Sequence, residues 1–138
     1  GWFISFLKFQ YFKFQIPTIN NLIMNKPFDL EERTYLFARD CRLFVKKLPK
    51  TISNMEDGKQ LVRSSGSIGA NYIEANEKLG DKDFLFRAKI SRKEAKESKY
   101  WIRLLQDLNP ELNEFSIPLL EEAEELRKIL STIITKSS

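Results

Sequence analysis

Between residues 84 and 105 the small and apolar side chains keep one helical spacing. Phe84, Ala88, Ser91, Ala95, Ser98, Ile102 and Leu105 follow at steps of four, three, four, three, four and three. Such a heptad-like row gives a helix one narrow apolar seam and leaves the rest of its circumference polar. Trp101 and Leu108 widen the seam, and Asn109 with Pro110 ends it. A single amphipathic helix cannot bury its own seam, so the chain must supply partner helices.

Three more segments have that character. The first opens near Asp29, with Phe28 ahead of it and Glu32 three residues on, the pattern of a capping box with a hydrophobic staple. Phe37, Cys41, Phe44, Val45 and Leu48 give it one face, and Pro49 stops it. The second opens at Ser53 or Asn54 and runs to about Leu79, with Gly80 as its stop and Asp81 capping the helix that follows. The fourth is capped by Ser116, with Pro118 in its first turn. Its inner face is Leu119, Ala123, Leu126, Leu130 and Ile133 or Ile134. Four amphipathic helices with short connections predict an all-α fold, an antiparallel up-down-up-down four-helix bundle spanning residues 24–138.

The second helix carries an oddity. Ser64, Ser65, Gly66, Ser67, Gly69, Ala70 and Asn71 crowd its middle, although Gly costs about 1 kcal/mol against Ala inside a helix. Apolar spacing continues across them through Leu61, Ser65, Ile68, Tyr72, Ala75 and Leu79. Small side chains let another helix approach closely, either within the bundle or from a second copy.

Charge is uneven. Residues 81–108 hold eight bases against five acids, whereas residues 111–138 hold three bases against six acids. On the third helix Lys82, Lys89, Arg92, Lys93, Lys96, Lys99 and Arg103 form a stripe largely away from the seam. With a net charge of +4, such a stripe reads either as a solvated bundle face or as a phosphate-contacting surface. Of these, Lys89, Arg92, Lys93, Lys96, Lys99 and Arg103 are the candidate nucleic-acid contacts, with Lys46, Lys47 and Lys50 in support. Only Tyr100 interleaves the stripe, so backbone-directed binding fits better than base stacking.

Catalysis finds little footing. There is no His, so the one cysteine, Cys41, and the serines at 64, 65 and 67 lack an imidazole base. Cys41 reads as a buried small hydrophobe of a reducing compartment. Arg63, Asn71, Glu74, Glu94 and Glu97 lie near apolar positions of the second and third helices. Carboxylates three apart can ligate metals in bundles, but the di-metal pattern needs Glu-x-x-His. A polar network, with Arg63 paired to a glutamate, is the plainer reading. The expectation is a non-enzymatic protein with no cofactor and no metal.

The segment QLVRSSGSIGANYIEANEKLGDKDFLFRAKISRKEAKESKYWIRLL resembles the signature of the four-helix-bundle proteins encoded in intervening sequences of bacterial large-subunit ribosomal RNA genes. Matching positions are Arg63-Ser64-Ser65, Ser67-Ile68, Ala70-Asn71, Glu74-Ala75, Asp83-Phe84, and Glu94 through Glu97 to Tyr100-Trp101; the likeness covers Met24 to about Thr135. The resemblance implies a bundle that assembles into a ring-shaped homopentamer. A related branch serves diversity-generating retroelements as an accessory protein, engaging a reverse transcriptase and nucleic acid. No catalytic residue carries over from the family. The expected partners are further copies of the chain, RNA or another nucleic acid and, by family analogy, a reverse transcriptase, in the cytoplasm and away from membranes.

Residues 1–23 depart from that pattern. They hold seven of the 17 aromatic residues and no acid, and Lys8, Gln10, Lys13 and Gln15 break the apolar run below membrane-spanning length. They read as an extension outside the folded domain; the alternative is an aromatic tail that docks on a partner or a membrane surface.

Overall fold

A computed structural model describes residues 29–77 and 79–138, so the reading of residues 1–23 lies outside the described residues. Its helices are α1 (Leu30–Lys47), α2 (Ile52–Ala75), α3 (Asp81–Leu108) and α4 (Asn113–Ser137), with a 3-10 turn at Pro110–Leu112 leading into α4. Each helix packs against its chain neighbours and α4 closes against α1, the arrangement of an antiparallel up-down-up-down bundle.

The predicted seams meet in one core. Phe37, Cys41 and Phe44 of α1, Leu61 and Ile68 of α2, Ala95, Ile102 and Leu105 of α3, and Leu119, Ala123, Leu126 and Leu130 of α4 join in a single buried cluster. Full burial of each large side chain among them stabilises the fold by about 1.5–3 kcal/mol.

Gly58, Ser64 and Gly69 of α2 serve contacts within the bundle. A Cβ on Gly58 would lie 3.2 Å from Val45 Cγ1 of α1, and one on Gly69 would lie 2.8 Å from Thr34 Oγ1. Toward α3, Ser98 Oγ donates to Ser64 Oγ at 2.9 Å, and Ser91 Oγ donates to the carbonyl of Ile68 at 2.7 Å. A hydroxyl seated on a neighbouring carbonyl meets its polar demand without lengthening the side chain, so the backbones stay close.

Several helix ends differ from the sequence reading. Asp29 makes no capping bond, because its φ −84°, ψ 37° is not the extended geometry that aims a carboxylate at the N–H groups ahead. α1 ends where Leu48 turns extended (ψ 137°), as the residue before a proline tends to. Thr51 caps α2 by accepting from the Asn54 N–H at 3.1 Å, two to three residues before the expected Ser53 or Asn54. α2 stops at Ala75. Asn76 ties that end to α1 through its Nδ2, which donates to Glu31 Oε2 at 2.9 Å. Leu79 is therefore 78 % exposed, not part of the inner stripe, and Gly80 (φ 129°) opens α3 instead of closing α2. α4 begins at Asn113, not at Ser116, which is buried and accepts from Gln106 Nε2 at 3.1 Å. Pro118 thus lies inside the helix. Its ring leaves the carbonyl of Glu114 without an i+4 donor. Leu108, placed on the seam by spacing, is 58 % exposed.

Candidate nucleic-acid interface

On α3 the positions opposite the core seam are Lys82, Phe86, Lys89, Lys93, Lys96, Tyr100 and Arg103, and all seven are exposed. They recur at steps of four, three, four, three, four and three, so they form one row along the helix. At 1.5 Å per residue the row runs about 32 Å. No acid interrupts it. Among the described residues none of its five cations has an ion-pair partner.

The predicted stripe therefore divides. Lys89, Lys93, Lys96 and Arg103 belong to the outward row. Arg92 and Lys99 are half-buried and lean on α4, where Arg92 Nη1 meets Ser131 Oγ at 3.4 Å and Lys99 Nζ pairs with Glu124 at 3.1 Å. Glu124 also takes Arg127 at 2.7 Å, and hydrogen bonds from Arg127 and then Lys99 hold its carboxyl down to about 2. These two cations of the candidate set are already engaged with α4. Lys46, Lys47 and Lys50 are exposed at the end of α1, the helix diagonal to α3, so they lie on a different face. Lys47 rests over the Phe115 ring, 4.8 Å from its centroid. Phe86, 59 % exposed, escaped the sequence reading because only the bases were followed. Its place three residues before Lys89, opposite the seam, was the available signal.

Beside the row, the α2–α3 contact holds a polar network. Arg63 donates to Glu94 Oε1 at 3.2 Å and, through its other terminal nitrogen, to Glu97 Oε2. Trp101 Nε1 donates to the same Glu97 oxygen at 3.2 Å. Glu94 is 6 % exposed, so Arg63 supplies the charge that a buried carboxylate needs. Both glutamates face this cation. Asn71 and Glu74 are not bonded to each other: Asn71 Nδ2 donates to Ser67, and Glu74 pairs with Arg87 at 2.8 Å. Ser64 and Ser65 point to opposite neighbours, Ser64 to Ser98 on α3 and Ser65 to Arg42 on α1 at 3.5 Å. Cys41 is fully buried, and burial followed by the charge of Asp40 raises its thiol pKa far from reactivity.

Residues 26–132 match the model of a family described as 23S rRNA-intervening sequence protein. The chain belongs to that family. It is also similar to a crystal structure, at 1.70 Å resolution, of a protein with unknown function from the S23 ribosomal protein family of Bacteroides thetaiotaomicron VPI-5482. That likeness has 30 % identity and a TM-score of 0.65, and covers 75 % of this chain and 96 % of the other. No match is found among curated proteins. In this member of the intervening-sequence family, Arg63, Ser64, Glu94, Glu97 and Trp101 all sit at the contact between α2 and α3. No described helix is long and apolar enough to cross a membrane.

Proposed function

We propose that this protein is a non-enzymatic, homo-oligomeric bundle that associates with RNA through the outer face of α3. The observation that carries the reading is the row of five exposed cations, uninterrupted by an acid and with no ion-pair partner among the described residues. Surface cations paired with neighbouring carboxylates are of little use to a phosphate. Cations left free exchange bound counterions for backbone contacts, which drives sequence-tolerant binding. Several copies in one assembly would repeat the row, and linked weak contacts combine into useful affinity.

A second reading, a protein scaffold without nucleic acid, draws on another surface. Val45, Leu48, Met55, Gly58 and Val62 line an open groove of about 330 Å³ between α1 and α2. Fluorescence polarisation of a labelled structured RNA separates the two. The charge-reversed variant Lys89→Glu/Lys93→Glu/Lys96→Glu should lose binding while keeping its helicity and assembled mass. Binding that persists in the variant places the contact on another face. An assembled protein that binds no RNA even at low salt favours the scaffold.

A further inference from the structure

The outer row of α3 is not uniformly cationic. Phe86 stands one turn before Lys89, and Tyr100 stands between Lys96 and Arg103, 59 % and 54 % exposed. Two large aromatic side chains presented to water on one line with unpaired cations lose apolar burial without serving the core. Tyr100 is also held in place. Its ring meets Trp101 edge to face, centroids 5.0 Å apart at 77°. The Trp101 Nε1–H is fixed by Glu97, and Glu97 is fixed in turn by Arg63 from α2. The polar network at the α2–α3 contact thus buttresses a solvent-facing ring, and a ring ordered in advance loses less freedom when something stacks on it.

We infer that this row takes single-stranded nucleic acid, with Lys89, Lys93, Lys96 and Arg103 tracking the phosphates and Phe86 and Tyr100 stacking on bases. The inference rests on the nucleic-acid reading above and names its ligand form. A double helix keeps its bases stacked on each other and offers the row only phosphates and groove edges. A single strand offers both backbone charge and free base faces, which is the combination the row presents. The sequence reading argued against stacking because it followed only the bases and Tyr100; Phe86 shares their row, and the support behind Tyr100 comes from the fold.

The test uses the full chain and three labelled probes: oligoadenylate, its duplex with oligouridylate, and an abasic oligomer of the same length. The protein should bind oligoadenylate more tightly than the duplex or the abasic strand. Phe86→Ala and Tyr100→Ala should each weaken oligoadenylate binding about fivefold or more. Neither should change abasic binding or the salt dependence, because neither removes a phosphate contact. Both side chains are more than half exposed, so circular dichroism and assembled mass should match the parent protein. A duplex bound at least as tightly as the single strand, or aromatic variants that bind oligoadenylate like the parent, would overturn the inference and leave a backbone reader. Failure of all three probes at low salt would overturn both the inference and the nucleic-acid reading.

Discussion

Thr34 on α1 stands so close to Gly69 on α2 that a Cβ at position 69 would meet Thr34 Oγ1 at 2.8 Å and its Cβ at 3.2 Å. Thr34 is fully buried, and its hydroxyl donates to the carbonyl of Glu31 at 2.9 Å, so it has no room to retreat. Gly69→Ala should destabilise the bundle by about 1–2 kcal/mol, the overpacking cost exceeding the gain of about 1 kcal/mol in helix propensity. Gly66 gives the contrast. Its nearest neighbour is Arg42 Nη2 at 3.0 Å, the end of a flexible side chain. Gly66→Ala should be neutral or stabilise by up to about 1 kcal/mol. Urea denaturation midpoints of the two variants check the order, and a reversed order would remove the close-approach explanation for the small residues.

Asn54 and Asn109 form a second such lock, at the end of the bundle where α2 begins and α3 ends. Each amide donates to the other at 2.9 Å; the remaining protons go to the carbonyls of Pro49 at 2.9 Å and Leu105 at 2.8 Å. Both residues are buried. Asn109→Ala leaves Asn54 with an unmet polar group and should cost about 2–3 kcal/mol. The double variant Asn54→Ala/Asn109→Ala should cost less than the two single changes added together. A thermodynamic cycle that is strictly additive would show that the pair does not act as a unit.

Arg63 joins Glu94 and Glu97 across the α2–α3 contact. Arg63→Ala strands the buried Glu94 carboxylate, and because the Arg63 side chain is 48 % exposed the cost is discounted to about 2 kcal/mol. Arg63→Lys should restore only part of it, since an ammonium cannot present two nitrogens to two carboxylates in one plane. In a Trp2→Phe background the emission anisotropy of Trp101 should fall in Arg63→Ala as the Glu97 hold loosens. An unchanged anisotropy would separate Arg63 from the ring pair.

Asp40 sets a pH signature. It is 3 % exposed, and burial raises its carboxyl to about 6 against the pull of Arg39 at 2.9 Å, with the charge of Glu122 on α4 adding to the rise. In the unfolded chain an aspartate titrates near 3.9. Above about pH 6 the folded protein therefore carries this charge at a cost, and below about pH 4 both states are protonated and the cost vanishes. The stability contributed by Asp40 falls as pH rises through that window. Asp40→Asn should gain about 1–3 kcal/mol over the parent protein at pH 7 and little at pH 4. Glu124, held down to about 2, acts in the opposite sense, so the difference between variant and parent at each pH is the quantity to follow. A difference that stays constant from pH 4 to 7 would contradict this account of Asp40.

The bundle was legible because α3 repeats its seam without a break and because Cys41, Phe44 and Leu126 obey the same arithmetic on other helices. Helix ends were less legible. Leu79 has the spacing of a core residue, but the chain leaves the helix at Asn76, whose side chain reaches Glu31 on α1, a tertiary contact with no local signal. Ser116 and Pro118 look like a helix start, yet the 3-10 turn at Pro110–Leu112 reverses the chain earlier. The candidate surface was half legible. The bases of α3 stand out in the sequence, but which of them α4 engages depends on Glu124 and Ser131, residues distant along the chain.

The proposed phosphate contact of the outer α3 row is tested most directly by titrating RNA into the protein and into its Lys93→Gln variant over a range of salt concentrations. If the row neutralises phosphates, log K should fall linearly with log salt concentration, and removing Lys93 should lower the slope by about one per engaged copy. The same proportional loss should hold across RNA sequences, because a phosphate contact carries no base information. Binding that is insensitive to salt, or a slope that Lys93→Gln leaves unchanged, would contradict the proposed contact.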